Sequence, residues 1–510
     1  MMKRRSVSTL FIWLALALAV IPLALAAARE PQPAWHAKVD SWVLQRLAES
    51  DKTEALIYLS EQADLSGATA LSDKVARGQY VFATLSALAE ETQASLRAEL
   101  DAQNIPYRSY WIANMIWVEL DSQQLAALAS RADVAHVYAN PTVALQLPAQ
   151  PDPFAPLPDG PDTIEWNIDK INAPDVWQMG FDGTGVVVGG QDTGYEWEHP
   201  ALKDKYRGWN GVTADHNYSW HDSIHSGGGS CGADSAEPCD DHDHGTHTMG
   251  TMVGDDGGSN QIGVAPGAAW IGCRNMDQGN GTPTTYSECF QWFVAPTDLN
   301  DENPNPAMAP DVINNSWGCP PSEGCTDPTI LQTVVENTRA AGILVVTSAG
   351  NSGPGCSTVS NPPGIYDASF SVGSTTSTDA ISGFSSRGPV TVDGSDRPKP
   401  DISAPGSSVR SSVRGGGYGV FSGTSMAAPH VVGLTALLID ADPTLEGDVD
   451  GLEAAIIAGA LGLTSAQTCG SVPGSSIPNN TFGHGRIDAQ LTVLLRQLDP
   501  SSFLPIVTRP

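Results

Sequence analysis

Positive charge is scarce in this sequence. Its 510 residues carry 26 Lys and Arg against 57 Asp and Glu, a formal net charge of −31. An acidic exterior repels nucleic acid and anionic lipid, so neither is expected as a partner. Cysteine is absent before Cys231, and all eight cysteines fall between Cys231 and Cys469. No Cys-x-x-Cys spacing occurs, which argues against a cysteine-built metal centre. Pairs as close as Cys231/Cys239 and Cys319/Cys325 instead predict disulfides, hence an oxidising compartment, with the pairing left open. Long apolar runs are also missing, with one exception at the start. Lys3, Arg4 and Arg5 precede an almost wholly apolar stretch from Leu10 to Leu25, followed by small residues through Ala28. This is the layout of a secretory signal over residues 1–26, a little short for a membrane span. No other stretch reads as able to cross a bilayer, so a secreted, extracellular protein without a stable membrane anchor is expected.

What is present suits a large globular chain: 41% hydrophobic residues, 51 Gly and 37 Pro, over a length that accommodates more than one unit. Residues 27–147 hold no Cys and little Gly. Within them, Ala55–Ser60 reads as a strand, Tyr80–Leu100 as a helix, Tyr107–Leu120 as one or two strands, Ser122–Ala129 as a helix and Val134–Tyr138 as a strand. That order predicts a small α+β, ferredoxin-like sandwich. Residues 148–163 crowd in six prolines, from Pro148 to Pro161, and read as an extended, exposed linker. From 164 to 495 strands and helices alternate. Val186–Gly190 and Ile343–Thr347 are continuous apolar runs of the kind buried parallel strands require, so a doubly wound α/β domain is expected there. Residues 496–510 read as a tail that carries the apolar run Phe503-Leu504-Pro505-Ile506-Val507.

Three motifs in that domain carry chemistry. Val186 to Gly194 is an apolar strand running into Asp192 and a Gly turn, which places a carboxylate where open α/β sheets build their sites. His244-Gly245-Thr246-His247 is compatible with a helix starting at an imidazole. Gly423-Thr424-Ser425-Met426-Ala427-Ala428-Pro429 sets a hydroxyl at a Gly-led turn before a helix, whose amino end favours a developing oxyanion. The order Asp192, His244, Ser425 resembles that of the subtilisin-like (subtilase) serine proteases. So do Val312 to Gly318, Ser348 to Gly353, Phe384 to Pro389 and Ala404 to Gly406. The Cys-rich insertions and the Trp317 block are similar to the bacillopeptidase F branch of that family.

The resemblance implies a serine endopeptidase of the 3.4.21 class. Ser425 would be nucleophile, His244 general base and Asp192 its orienting partner, with no cofactor needed for the chemistry. It implies that Asn351 is the oxyanion donor, in preference to Asn314. Substrate would lie beside Ser316, Trp317 and Gly318. The pocket for the residue before the cut would be lined by Ser348, Ala349 and Gly350, with its base near Asn361. Residues 27–147 are similar to an inhibitory, I9-like propeptide of that family, an intramolecular partner that the enzyme would remove. Protein or peptide substrates and a monomeric state complete this expectation.

Two rivals belong to other classes: a metal-dependent hydrolase built on His242, His244 and His247, and a catalytically silent binding protein of the same fold. Structural calcium is conceivable at Asp255 and Asp256 or within Asp298–Glu302. Ala201 stands where the resemblance implies a calcium-ligating Asp, which weakens that site. The segment between Asp192 and His244 and the stretch Asp277–Asp311 both read as polar surface insertions near the cleft rim.

Overall fold

A computed structural model describes residues 33–148, 163–227 and 229–498. The expected leader, nearly all of the proline linker and most of the tail lie outside the described residues.

The larger unit is α/β. Seven parallel strands run in the spatial order Ile402–Pro405, Phe370–Thr375, Leu344–Ser348, Val312–Asn315, Val187–Asp192, Ala269–Arg274 and Trp220–Asp222. The first of these in the chain, Val187–Asp192, lies inside the sheet, so the winding reverses beside it. Such a reversal opens a crevice at the carboxyl ends of the strands. Alternate side chains feed opposite faces. Val188, Val312, Leu344 and Val346 pack on one side with the helices His244–Val253 and Thr424–Ala441. Ile271, Ile313, Ile343 and Val345 pack on the other with the helices Pro283–Val294 and Gln332–Ala340. Both faces are covered, which is why the strands read as unbroken apolar runs.

The described amino-terminal unit is a four-stranded antiparallel sheet with three α-helices, Ser41–Glu49, Lys74–Gln103 and Ser122–Ala129. Tyr107–Tyr110, Met115–Leu120, Thr53–Leu59 and Val134–Ala139 lie side by side in that order. Its long helix runs from Lys74 to Gln103, six residues earlier than the apolar spacing predicts, because the Asp73 side chain caps it by accepting from Ala76 N–H. One face closes the unit's own core around Ile57, Leu96, Ile116 and Leu125. The other face, with Leu56, Tyr58, Leu85 and Ile112, joins the core formed by Phe290, Trp292, Val334 and Ile330 of the larger unit. Polar contacts fix the docking. Gln291 Oε1 accepts from the amides of both Trp111 and Ile112, at 2.7 and 3.2 Å, and Asn337 Nδ2 donates to Ile112 O at 2.6 Å. Tyr110 donates to Glu288 at 2.7 Å.

Three expectations need correction. The segment before His244 is no simple surface loop: Trp220–Asp222 forms the sheet's edge strand, and Trp220, Tyr206 and His199 are buried. Asp277–Asp311 contains the buried helix Pro283–Val294. Its signal was Thr282 as a capping residue, Pro283 in the first turn, and Tyr286, Phe290 and Phe293 at helical spacing. Finally, one helix among the described residues, Thr424–Ala441, does have the length and apolarity to cross a membrane. It is apolar because it is buried in the core, with hardly a residue exposed. The eight cysteines form four disulfides: Cys231–Cys239, Cys273–Cys289, Cys319–Cys325 and Cys356–Cys469.

Candidate active site

Asp192 ends its strand fully buried, and the adjoining turn brings the His244 helix against it. Gly245 makes that approach possible: a Cβ there would lie 2.1 Å from Gly194 O and 3.1 Å from Asp192 Cβ. The imidazole and carboxylate meet, His244 Nδ1 to Asp192 Oδ1 at 2.7 Å, and the same oxygen accepts Thr193 N–H at 2.8 Å. His244 Nδ1 therefore donates, which leaves Nε2 as the basic nitrogen.

Ser425 opens the long helix, whose packing partner across the core is the His244 helix. Pro429 has no N–H for the carbonyl four residues back, which is that of Ser425. The Ser316 hydroxyl donates to this carbonyl instead, at 2.9 Å. A helix break is thus converted into a link between the Ser425 turn and the strand end at Ser316. Asn314 Nδ2 in turn donates to Ser316 Oγ at 2.9 Å; it is wholly buried and engaged beneath the site rather than in it. The Ser425 hydroxyl donates to Ser316 O at 3.1 Å, while His244 Nε2 is buried with no hydrogen-bond partner. The aspartate–histidine half of the expected triad is hydrogen-bonded, then, and the serine–histidine half is not.

Asn351 is oriented by its neighbours. Its Oδ1 accepts from Thr424 N–H and Thr424 Oγ1, at 2.9 and 3.0 Å. The amide nitrogen is thereby turned toward the cleft, where it donates to the main-chain carbonyl of Gln146 at 3.0 Å. Ser316, Trp317, Gly318, Ser348, Ala349, Gly350, Asn351, Asn361 and Ser425 line one cleft. Ala144, Leu145 and Gln146 complete its wall and leave about 30 Å³ free. Asn361 lies against Gly318, where a side chain would meet its Cβ at 3.2 Å. The Trp317 ring points away and stacks on Tyr286, with ring centres 3.8 Å apart.

The extended segment Val143–Leu145 finds its main-chain partners on a strand that the sequence analysis overlooked. Val143 and Ala144 pair antiparallel with Gly281 and Asn280, and Leu145 N–H donates to Gly279 O at 2.8 Å. Gly279-Asn280-Gly281 was the available signal, a turn-forming triplet ahead of a capped helix. Glu323 was overlooked too, and it reaches Ala144 and Gln146 from the far rim.

The other histidines of the cluster have structural partners. His247 stacks on Phe421, with centres 4.4 Å apart, and its Nε2 lies 3.1 Å from Val409 O. Burial, reinforced by the nearby His244, pushes its pKa down to about 3, so it stays neutral. His430 bonds through its two ring nitrogens to Met426 O and Asn167 Nδ2, and burial lowers it to about 4. Among the described residues, His242, His244 and His247 do not make a group that could hold a metal, nor do any other three His, Cys, Asp or Glu. Asp255 and Asp256 accept from amides of their own loop, at Gly257, Gly258 and Asn260, as Asp298 does from Asn300 and Glu302. Among the described residues, neither acidic loop gathers three His, Cys, Asp or Glu that could hold an ion.

The sequence profile of the subtilase family matches residues 183–485. The chain belongs to the subtilase family. Bacillopeptidase F of Bacillus subtilis (strain 168) is 36% identical over an alignment of 486 residues that covers 89% of this chain and 32% of that protein. The chain thus spans about a third of that relative's length. Subtilisin of Bacillus pumilus is 31% identical over 284 residues, 55% of this chain and 86% of that protein. Alkaline elastase YaB of Bacillus sp. (strain YaB) is 28% identical over 402 residues. The match to bacillopeptidase F takes in most of the chain, so this subtilase resembles that relative beyond the profile-matched domain, into the amino-terminal unit.

Proposed function

We propose that this subtilase is a secreted, monomeric serine endopeptidase that hydrolyses peptide bonds of proteins and removes its own amino-terminal unit. In this reading residues 1–26 are the signal, 27–147 the propeptide, 148–163 the linker region adjoining maturation, 164–495 the peptidase and 496–510 a tail. One observation carries it: the amide of Asn351 donates to a main-chain carbonyl of the chain's own extended segment, as an oxyanion donor does to a substrate carbonyl. The antiparallel pairing of Val143 and Ala144 with Asn280 and Gly281 supports it, since extended peptides are bound by strand addition.

The chemistry follows from the groups present. Ser425 Oγ attacks the carbonyl carbon once its hydroxyl rotates from Ser316 O toward His244. The unpartnered Nε2 of His244 takes the proton, and Asp192 holds the other nitrogen as donor and stabilises the imidazolium. Asn351 binds the oxyanion. His244 then protonates the leaving amine, and water enters by the reverse sequence to release the acid. The test is secretion of the full chain with and without Ser425→Ala. The intact chain should yield a shortened protein active on casein, inhibited by a serine-directed phosphonate and not by chelators. The variant should stay full length and inactive, with loss of at least about 10⁵-fold. Maturation of the variant by itself would overturn the reading.

A further inference from the structure

The cleft holds a substrate-like segment, and Glu323 contacts it twice. Glu323 Oε2 accepts the main-chain N–H of Ala144 at 2.9 Å, and Oε1 accepts the side-chain amide of Gln146 at 3.1 Å. The backbone that carries the carboxylate is held in place from its own side. It ends the short 3₁₀ turn Pro321–Glu323, inside the loop closed by the Cys319–Cys325 disulfide. The next residue, Gly324, has φ +113°, and a Cβ there would lie 2.7 Å from Pro141 and Trp42. The loop thus seats against the amino-terminal unit at the point where that unit's chain enters the cleft.

Register follows from Asn351. The carbonyl it holds belongs to Gln146, so the peptide bond presented to Ser425 is Gln146–Leu147. Gln146 is the residue before the cut, and its exposed side chain leans on Glu323 rather than filling the slot floored by Asn361. A carboxylate can only accept hydrogen bonds. It therefore favours a donor side chain at that position, cationic ones as well as glutamine, and repels a carboxylate.

We propose that Glu323 is a specificity-determining residue of this protease. It selects a side chain bearing N–H donors, glutamine, lysine or arginine, before the cut, and it sets self-cleavage at Gln146–Leu147. The step is the one given above: the Gln146 carbonyl carbon forms the ester with Ser425 Oγ, the C–N bond to Leu147 breaks, and His244 returns the proton to the Leu147 amine. Water then frees the Gln146 carboxylate. The inference rests on the proteolytic reading and adds to it a charge preference and a cut position, which moves the end of the propeptide from residue 147 to Gln146.

The test uses the full chain and a set of peptides, Val-Ala-Leu-X-Leu-Pro, with X Gln, Lys, Leu or Glu. The processed protein should begin at Leu147 in its first, earliest product. It should cleave the Gln and Lys peptides about tenfold or more faster, in kcat/KM, than the Glu peptide. Glu323→Gln should bring that ratio to about twofold or less, and Glu323→Lys should invert it. In the chain itself, Gln146→Glu should slow processing about tenfold, and Glu323→Lys should restore it. An unchanged peptide ratio in both variants, no rescue in the charge-swapped chain, or a first product with another amino terminus would overturn the proposal. If the unmodified chain cut none of the peptides and did not process, the proteolytic reading itself would be what failed.

Discussion

The two units of this chain are held together in different ways. The larger one carries all four disulfides and a seven-stranded sheet whose neighbours come from distant parts of the sequence. The smaller one has no cysteine, and its sheet is built within about ninety residues, from Thr53 to Ala139. Its second apolar face is covered by its neighbour, by the helices Pro283–Val294 and Gln332–Ala340 and by Ile330 and Leu331 between them. The comparison separates a fold that keeps itself from one that leans on a partner. A proposed inhibitor suits the second plan, because what holds it is non-covalent and can be released.

Four measurements would break or sharpen that contrast. The largest effect is expected from removing the Cys356–Cys469 bond, which joins positions 113 residues apart. Chain entropy alone gives about 4–5 kcal/mol for a loop of that length, and about half as much for the short Cys319–Cys325 loop. Paired Cys→Ser changes, followed by chemical denaturation of full-length Ser425→Ala protein, should reproduce this order while the amino-terminal sheet stays folded until its neighbour melts. Next comes Asn351→Leu. It should reduce kcat about 10²–10³-fold, or roughly 3–4 kcal/mol of barrier, with KM little changed. Steady-state kinetics on the processed enzyme would check it.

Gln291→Ala leaves the amides of Trp111 and Ile112 without an acceptor in a part-buried contact, at a cost of about 1–3 kcal/mol. The bond should still be cut, but the lag between cutting and full activity should shorten. An unaltered lag would show that the apolar face alone does the holding. A fourth effect is spread over several pH units as a slope. The folded chain keeps His247 neutral down to about 3, whereas the unfolded chain protonates it near its ordinary value of 6.5. Its contribution is therefore complete above pH 6.5 and is lost as pH falls toward 3, by about 1.4 kcal/mol per unit. Denaturation of the Ser425→Ala protein between pH 7 and 4 should show this slope. His247→Gln, whose amide can still donate to Val409 O, should flatten it by about one proton.

Much of the candidate site was legible because the chemistry it would perform needs particular residue types in short blocks. Asp192 at a strand end, His244 ahead of Gly245, and Ser425 ahead of a small-residue helix each carry a local physical signature. The fold class was legible for the same reason: runs such as Val186–Gly190 are apolar without alternation only when both sheet faces are covered. Helix starts were less so. Lys74 begins a helix because Asp73 caps it, while Gly78 breaks the apolar spacing that would have revealed its first turns. The helix Pro283–Val294 lies inside a polar stretch, so averaged composition hid a capped, regularly spaced element.

The sequence by itself determined which groups are candidates for the chemistry and where the main strands and helices of the sheet fall, since those follow from local stereochemistry and the period of apolar residues. Only the tertiary structure decided where the long-range partners fall. It showed that Pro429 frees a carbonyl for Ser316, that Thr424 turns the amide of Asn351, and that Gln146 and Glu323 meet across the cleft. Such pairings join positions up to 177 residues apart. No local propensity encodes them, because they exist only once the fold has brought distant segments of the chain to one place.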